Sequence, residues 1–126
     1  MTIIVADTTC GLPRDLLTQR GIPLIPQIVI FGEETFQDDK YLDTAAFLQK
    51  LKASKELPKT SAPEPPQYYP VFEEAKESGE SVIVVAPTGK ASGTVRSAQT
   101  AALEFPDVDI RVVDTQTISC NLGSLV

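Results

Sequence analysis

Small hydroxyl residues, carboxylates and glycines recur in short clusters: Asp7-Thr8-Thr9, Thr60-Ser61, Pro87 to Gly93, and Asp114-Thr115. The third carries the most pointed chemistry. In Ala91-Ser92-Gly93-Thr94 a small hydroxyl residue followed by glycine precedes a helical pattern. Such a start exposes backbone N–H groups and the positive end of a helix dipole, which suits an anion. The plainer alternative is an N-cap at Ser92, with Gly93 required only for close helix–sheet packing. Asp7, Thr8 and Thr9 are open in the same way, as ligand contacts or as caps of a helix starting near Pro13. Asp114 shares that ambiguity.

Several other chemistries are excluded. Thr88-Gly89-Lys90 is not a nucleotide P-loop, because the motif needs an earlier glycine and a Ser or Thr after the lysine, where Ala91 stands. Lys90 then reads as a solvated loop charge. The chain has no histidine, so neither a Ser-His nor a Cys-His pair can form within it. Cys10 and Cys120 lack metal-ligand spacing, and no zinc site is expected. Asp38, Asp39 and Asp43, like Glu73, Glu74 and Glu77, lack a calcium-loop pattern and read as solvated faces.

The elements that must position these clusters follow from hydrophobic periodicity. Strands are expected over Thr2 to Ala6, Leu24 to Phe31, Ser81 to Ala86 and Asp109 to Val113. The second reads as nearly all apolar, as a strand covered on both faces would be. Helices are expected over Pro13 to Arg20, from Asp43 or Thr44 to about Ala53, over Gln67 to Ser78, and over Ser92 to Phe105. Gly32 to Tyr41 reads as polar turn, and Lys55 to Pro66 as a proline-stiffened loop holding Thr60-Ser61. Leu122 to Val126 reads as an exposed apolar tail. Alternating strands and helices imply an α/β fold, a mainly parallel sheet with helices on both faces. In such sheets ligands bind outside the carboxyl ends of the strands, where three of the four clusters fall.

The whole composition narrows the partners. At 126 residues and 42% apolar content, the chain fits a single domain with a genuine core. A formal charge of −6 argues against nucleic acid and against an anionic membrane surface. The amino terminus has no basic n-region, and the apolar run near Ile22 to Phe31 is broken by Pro23, Pro26 and Gln27. A cytoplasmic location is therefore expected.

Taken together, four blocks resemble the DegV family. Asp7-Thr8-Thr9-Cys10-Gly11-Leu12-Pro13 is similar to its Asp-Ser-(Ser/Thr)-x-Asp-Leu-Pro start, and Thr60-Ser61-Ala62-Pro63 to its Thr-Ser-x-Pro loop. Ser92-Gly93-Thr94-x-x-Ser97-Ala98 resembles its Ser-Gly-Thr-x-x-Ser-Ala helix start, and Val112-Val113-Asp114-Thr115 its Val-(Ile/Val)-Asp-(Ser/Thr) strand end. The sequence departs from the pattern at Thr8, Gly11, Glu64 and Val95. Of these, Glu64 would repel an anionic head group unless it points to solvent.

The resemblance implies the amino-terminal domain of a two-domain, non-enzymatic carrier that buries a fatty acid. It implies that Thr60 and Ser92 hold the carboxylate, that Ser61, Gly93 and Thr94 support them, and that Asp7, Thr8 and Asp114 lend possible further support. It implies a bound long-chain fatty acid with no cofactor or metal, a second domain outside this chain, and in some members a partner kinase that phosphorylates the acyl carboxylate. The competing expectations are a phosphoryl-transfer or nucleotide-binding enzyme using Gly89 to Thr94, and an interaction domain that docks a partner through its tail.

Overall fold

The computed structural model of the chain describes residues 1–38 and 42–126; Asp39 and the end of the expected turn at Tyr41 lie outside them. The elements run β1 (Thr2–Asp7), α1 (Arg14–Gln19), β2 (Leu24–Ile25), β3 (Ile28–Phe31), β4 (Glu34–Gln37), α2 (Thr44–Ala53), β5 (Lys59–Ser61), α3 (Tyr69–Ser78), β6 (Ser81–Ala86), α4 (Thr94–Ala102), β7 (Ile110–Asp114) and α5 (Cys120–Gly123). Short 3-10 turns cover Thr8–Cys10 and Pro65–Tyr68.

The main sheet is parallel, in the order β2-β1-β6-β7. Alternation along β1 and β6 sends Val5, Val82 and Val84 into one core with α3 and α4, where Tyr68, Phe72 and Phe105 supply the bulk. The intervening Ala6 and Val85 face the opposite side, with Cys10, Leu17 and Leu122. Helices thus cover both faces, as the α/β pattern requires. Each large apolar side chain buried this way contributes about 1.5–3 kcal/mol.

A second, antiparallel sheet, in the order β4-β3-β5, carries α2. Its core joins Val29, Phe31 and Leu42 to Phe36, Ala46, Phe47 and Leu51. The Phe31 and Phe47 rings lie 5.8 Å apart, which seats α2 on the sheet.

The structure departs from four sequence expectations. The run Leu24 to Phe31 is not one strand. It is cut at Pro26-Gln27, where proline has no N–H for the ladder, and its halves join different sheets. Glu34–Gln37 within the expected turn is a strand, and Thr60-Ser61 within the expected loop pairs with β3, Val29 opposite Thr60 and Ile28 opposite Ser61. The tail is not wholly exposed. Leu122 is fully buried, Val126 packs against the same cluster, and of the tail residues Leu125 stays open to solvent at 59%.

Candidate functional site

The carboxyl end of β1, the residue before β3 and the start of α4 meet in a buried polar network. Asp7 closes β1, and its Oδ1 accepts hydrogen bonds from the Thr9 amide at 3.1 Å and from the Thr9 hydroxyl, capping the Thr8–Cys10 turn. The capping role expected of Asp7 is therefore real, but it acts on this turn. At α1 the N-cap is Pro13, which has no side-chain cap.

Gln27, at the cut between β2 and β3, donates through Nε2 to Asp7 Oδ2 at 2.6 Å and to Thr94 Oγ1 at 2.8 Å. Thr94 Oγ1 lies 2.8 Å from Ser92 Oγ, which also accepts the Thr94 amide at 3.2 Å. The Gln27 amide in turn donates to Thr8 Oγ1 at 3.0 Å. Asp7, Gln27 and Thr94 are all buried, whereas Ser92 is half-buried at the edge of the network. Burial raises the Asp7 carboxyl above its ordinary 3.8, while the donors from Thr9, Gln27 and Thr94 oppose the rise.

The β5 block is drawn to the same place. Ser97 on α4 donates its hydroxyl to the Pro63 carbonyl. A Cβ on Gly93 would stand 3.3 Å from the Ala62 Cβ, so the close approach that Gly93 permits is to the segment after β5 and not to the sheet. Thr60-Ser61-Ala62-Pro63 thus lies against the first turn of α4. Thr60 and Ser61 are exposed.

Thr60 also lines a cavity of about 520 Å³ between the Thr8 to Arg14 segment, β2, β3 and α2. Its apolar wall is Leu12, Pro13, Leu24, Val29, Leu42 and Phe47, and Thr8, Arg14, Asp38 and Thr44 supply polar edges. That volume lies within the range of small-molecule sites. Glu64 is exposed and is the N-cap of the Pro65–Tyr68 turn, its backbone amide donating to Gln67 Oε1 at 2.7 Å.

Asp114 stands apart from this network. It is exposed, and its carboxylate accepts the Gly89 amide at 3.2 Å and the Gln116 amide at 2.9 Å, clamping two loops together. The amides beside Gly89 are also occupied: Lys90 donates to Thr88 Oγ1, while Ala91 and Ser92 donate to the Thr88 carbonyl.

The family described as "Uncharacterised protein, DegV family" matches residues 1–126. This chain belongs to the DegV family. A DegV domain-containing protein of Deinococcus radiodurans is 34% identical over 95% of the chain, and protein DegV of Bacillus subtilis 33% identical over 93%. The chain spans 42% and 41% of the lengths of these two relatives.

Among solved DegV structures, the Thermus thermophilus protein, described for its fatty-acid binding, superposes with a TM-score of 0.86 at 35% identity, covering 98% of this chain and 44% of its own. The Bacillus subtilis protein, described as a fatty acid binding protein, gives 0.90 at 30% identity, with 98% and 44% coverage. A stearic acid-binding protein of Eubacterium ventriosum gives 0.88 at 28% identity, with 99% and 45% coverage.

Three of the DegV blocks, at Asp7, Thr60 and Ser92, converge around one end of the main sheet, and the Asp114 block stabilises a neighbouring loop pair. Gln27 is the residue that sequence reasoning missed. The signal available was a polar residue interrupting an otherwise apolar run.

Proposed function

We propose that this chain binds a long-chain fatty acid, with Thr60 and Ser92 donating hydrogen bonds to the carboxylate and the acyl chain entering the cavity walled by Leu12, Leu24, Val29 and Phe47. The observation that carries the reading is that Thr60 lines the largely apolar cavity while its segment is tied, through Ser97 and Gly93, to the start of α4 that bears Ser92. Charge-assisted O–H and N–H bonds at a helix start hold a carboxylate without a metal or a basic side chain. Ser61, Gly93 and Thr94 support the head group, and Thr8 lies on the path from it to the cavity. Asp7 acts at one remove through Gln27, and Asp114 through the shape of its loops.

The role is that of a carrier: the site holds the carboxylate by hydrogen bonds, and neither a Ser-His nor a Cys-His pair can form within this chain. In the whole protein a second domain completes the enclosure, because each methylene left in water forfeits about 0.8 kcal/mol. A kinase that phosphorylates the carboxyl group is the partner the family resemblance suggests, and the cytoplasm is the compartment. Among the described residues no helix is long and apolar enough to cross a membrane. The phosphate-cradle alternative is disfavoured by the Asp114 carboxylate on the Gly89 amide, a negative charge where a phosphate would need to sit.

Ser92→Ala and Thr60→Val in the full-length protein are expected to weaken fatty-acid binding by roughly tenfold each, the loss of one hydrogen bond to a charged group. Both variants should fold cooperatively, Thr60→Val near wild-type stability and Ser92→Ala about 1 kcal/mol less stable, because the Thr94 amide loses its acceptor. Unchanged affinity in both variants would remove the carboxylate site from consideration.

A further inference from the structure

Helix α2 is seated differently from α3 and α4. Its ten residues include none that is buried, whereas α3, of the same length, buries Val71, Phe72 and Ala75, and α4 buries Thr94, Ala98 and Ala101. Its apolar stripe, Ala46, Phe47 and Leu51, follows helical spacing and packs on the core of the antiparallel sheet, yet each member is only half-buried. The helix is fastened by the Asp43 cap on the Ala46 amide at 2.8 Å, by the Phe47 ring on Phe31, and by a largely exposed ion pair from Lys50 to Glu34, which adds little.

Thr44 and Phe47, three positions apart on one helix face, border the cavity of about 520 Å³. That cavity has a direction. β3 follows Gln27, which is tied to Thr94 at the start of α4, and ends at Phe31. Val29 and Phe31 project to one face of the sheet, and Thr60, directly opposite Val29, shares that face. Thr60 and Val29 line the cavity, and Phe47 stands over Phe31, roughly 7 Å further along the strand. A chain held by its head group at Thr60 and extended along β3 therefore meets the open side of Phe47.

We infer that the acyl chain is the packing partner that α2 lacks, and that Phe47 is the residue by which the site selects chains long enough to reach it. The inference rests on the proposed fatty-acid reading and names its selectivity. Each methylene that covers the stripe leaves water and adds about fourfold in affinity, and the same contact fixes α2 on the sheet.

Binding of saturated acids from hexanoic to palmitic to the full-length protein tests this, together with hydrogen exchange of α2 in the stripped and the loaded protein. In wild type, palmitic acid should slow amide exchange over Thr44–Ala53 by about tenfold or more, while hexanoic acid leaves it unchanged. Phe47→Ala should bind hexanoic acid as wild type does and palmitic acid about tenfold more weakly, and Phe47→Leu, which keeps an apolar side chain on Phe31, should lose only about threefold. Leu48→Ala, at a position 46% exposed, should bind the whole series as wild type does. Equal losses for hexanoic and palmitic acid in Phe47→Ala, or losses in Leu48→Ala as large as those in Phe47→Ala, would mean a structural role and overturn the inference. Exchange of the α2 amides as slow in the stripped protein as in the loaded one would mean that another part of the full-length chain covers α2, and would overturn it too. Absence of palmitic acid binding by wild type would overturn the fatty-acid reading beneath it.

Discussion

Tyr68 presents an energetic puzzle beside the polar network. Its ring is fully buried and stacks on Phe72 at 5.8 Å, yet its hydroxyl has no hydrogen-bond partner among the described residues. Burial, with the Asp7 charge as a smaller cause, pushes the phenol well above its usual pKa, so it keeps its proton at all ordinary pH. An unmet buried hydroxyl is a cost and not a bond. Tyr68→Phe should accordingly be neutral or stabilising by up to about 1 kcal/mol in denaturant unfolding; a loss of more than about 1 kcal/mol would show that the hydroxyl is satisfied. At this scale the sequence was legible where residue type announces chemistry, as with Ser92-Gly93-Thr94. It was not legible at Gln27, which acquires its role only when Asp7 and Thr94, 20 and 67 positions away, fold around it. Glu64, which looked repulsive on paper, turns to solvent in the native chain.

Among the elements, the strands and helices of the main sheet follow local pattern closely, and β6 matches its expected span because alternate buried positions coincide with a β-branched run. The second sheet escaped local pattern. Its strands β4 and β5 are short and largely exposed, and their identity depends on pairing with β3. Proline punctuation around Thr60 concealed β5, while the equally telling Pro26 was a signal for the strand break. The tail shows the same dependence on tertiary contact. Its short helix α5 is fixed by Leu122 and by Gly123, where an added Cβ would stand 2.5 Å from the Cys10 carbonyl oxygen and 3.1 Å from Leu12 Cγ. Gly123→Ala should therefore cost about 1–3 kcal/mol in denaturant unfolding, the price of overpacking against rigid backbone. An unchanged midpoint would mean that α5 is not seated on the Cys10 turn.

For the molecule as a whole, the proposed ligand site lies where the two sheets meet. The parallel sheet supplies the strand ends and the start of α4, the antiparallel sheet supplies Thr60 and the cavity wall at Val29, and Gln27 sits where the chain crosses from one to the other. The fold class was legible because βαβ alternation dictates it. The cavity was not, because it arises between elements whose separation no local pattern encodes. Denaturing mass spectrometry of the purified full-length protein tests the proposed binding of a long acyl chain. Release of a long-chain fatty acid on unfolding is the expected result; release of none, together with no uptake of fatty acid by the stripped and refolded protein, would contradict it.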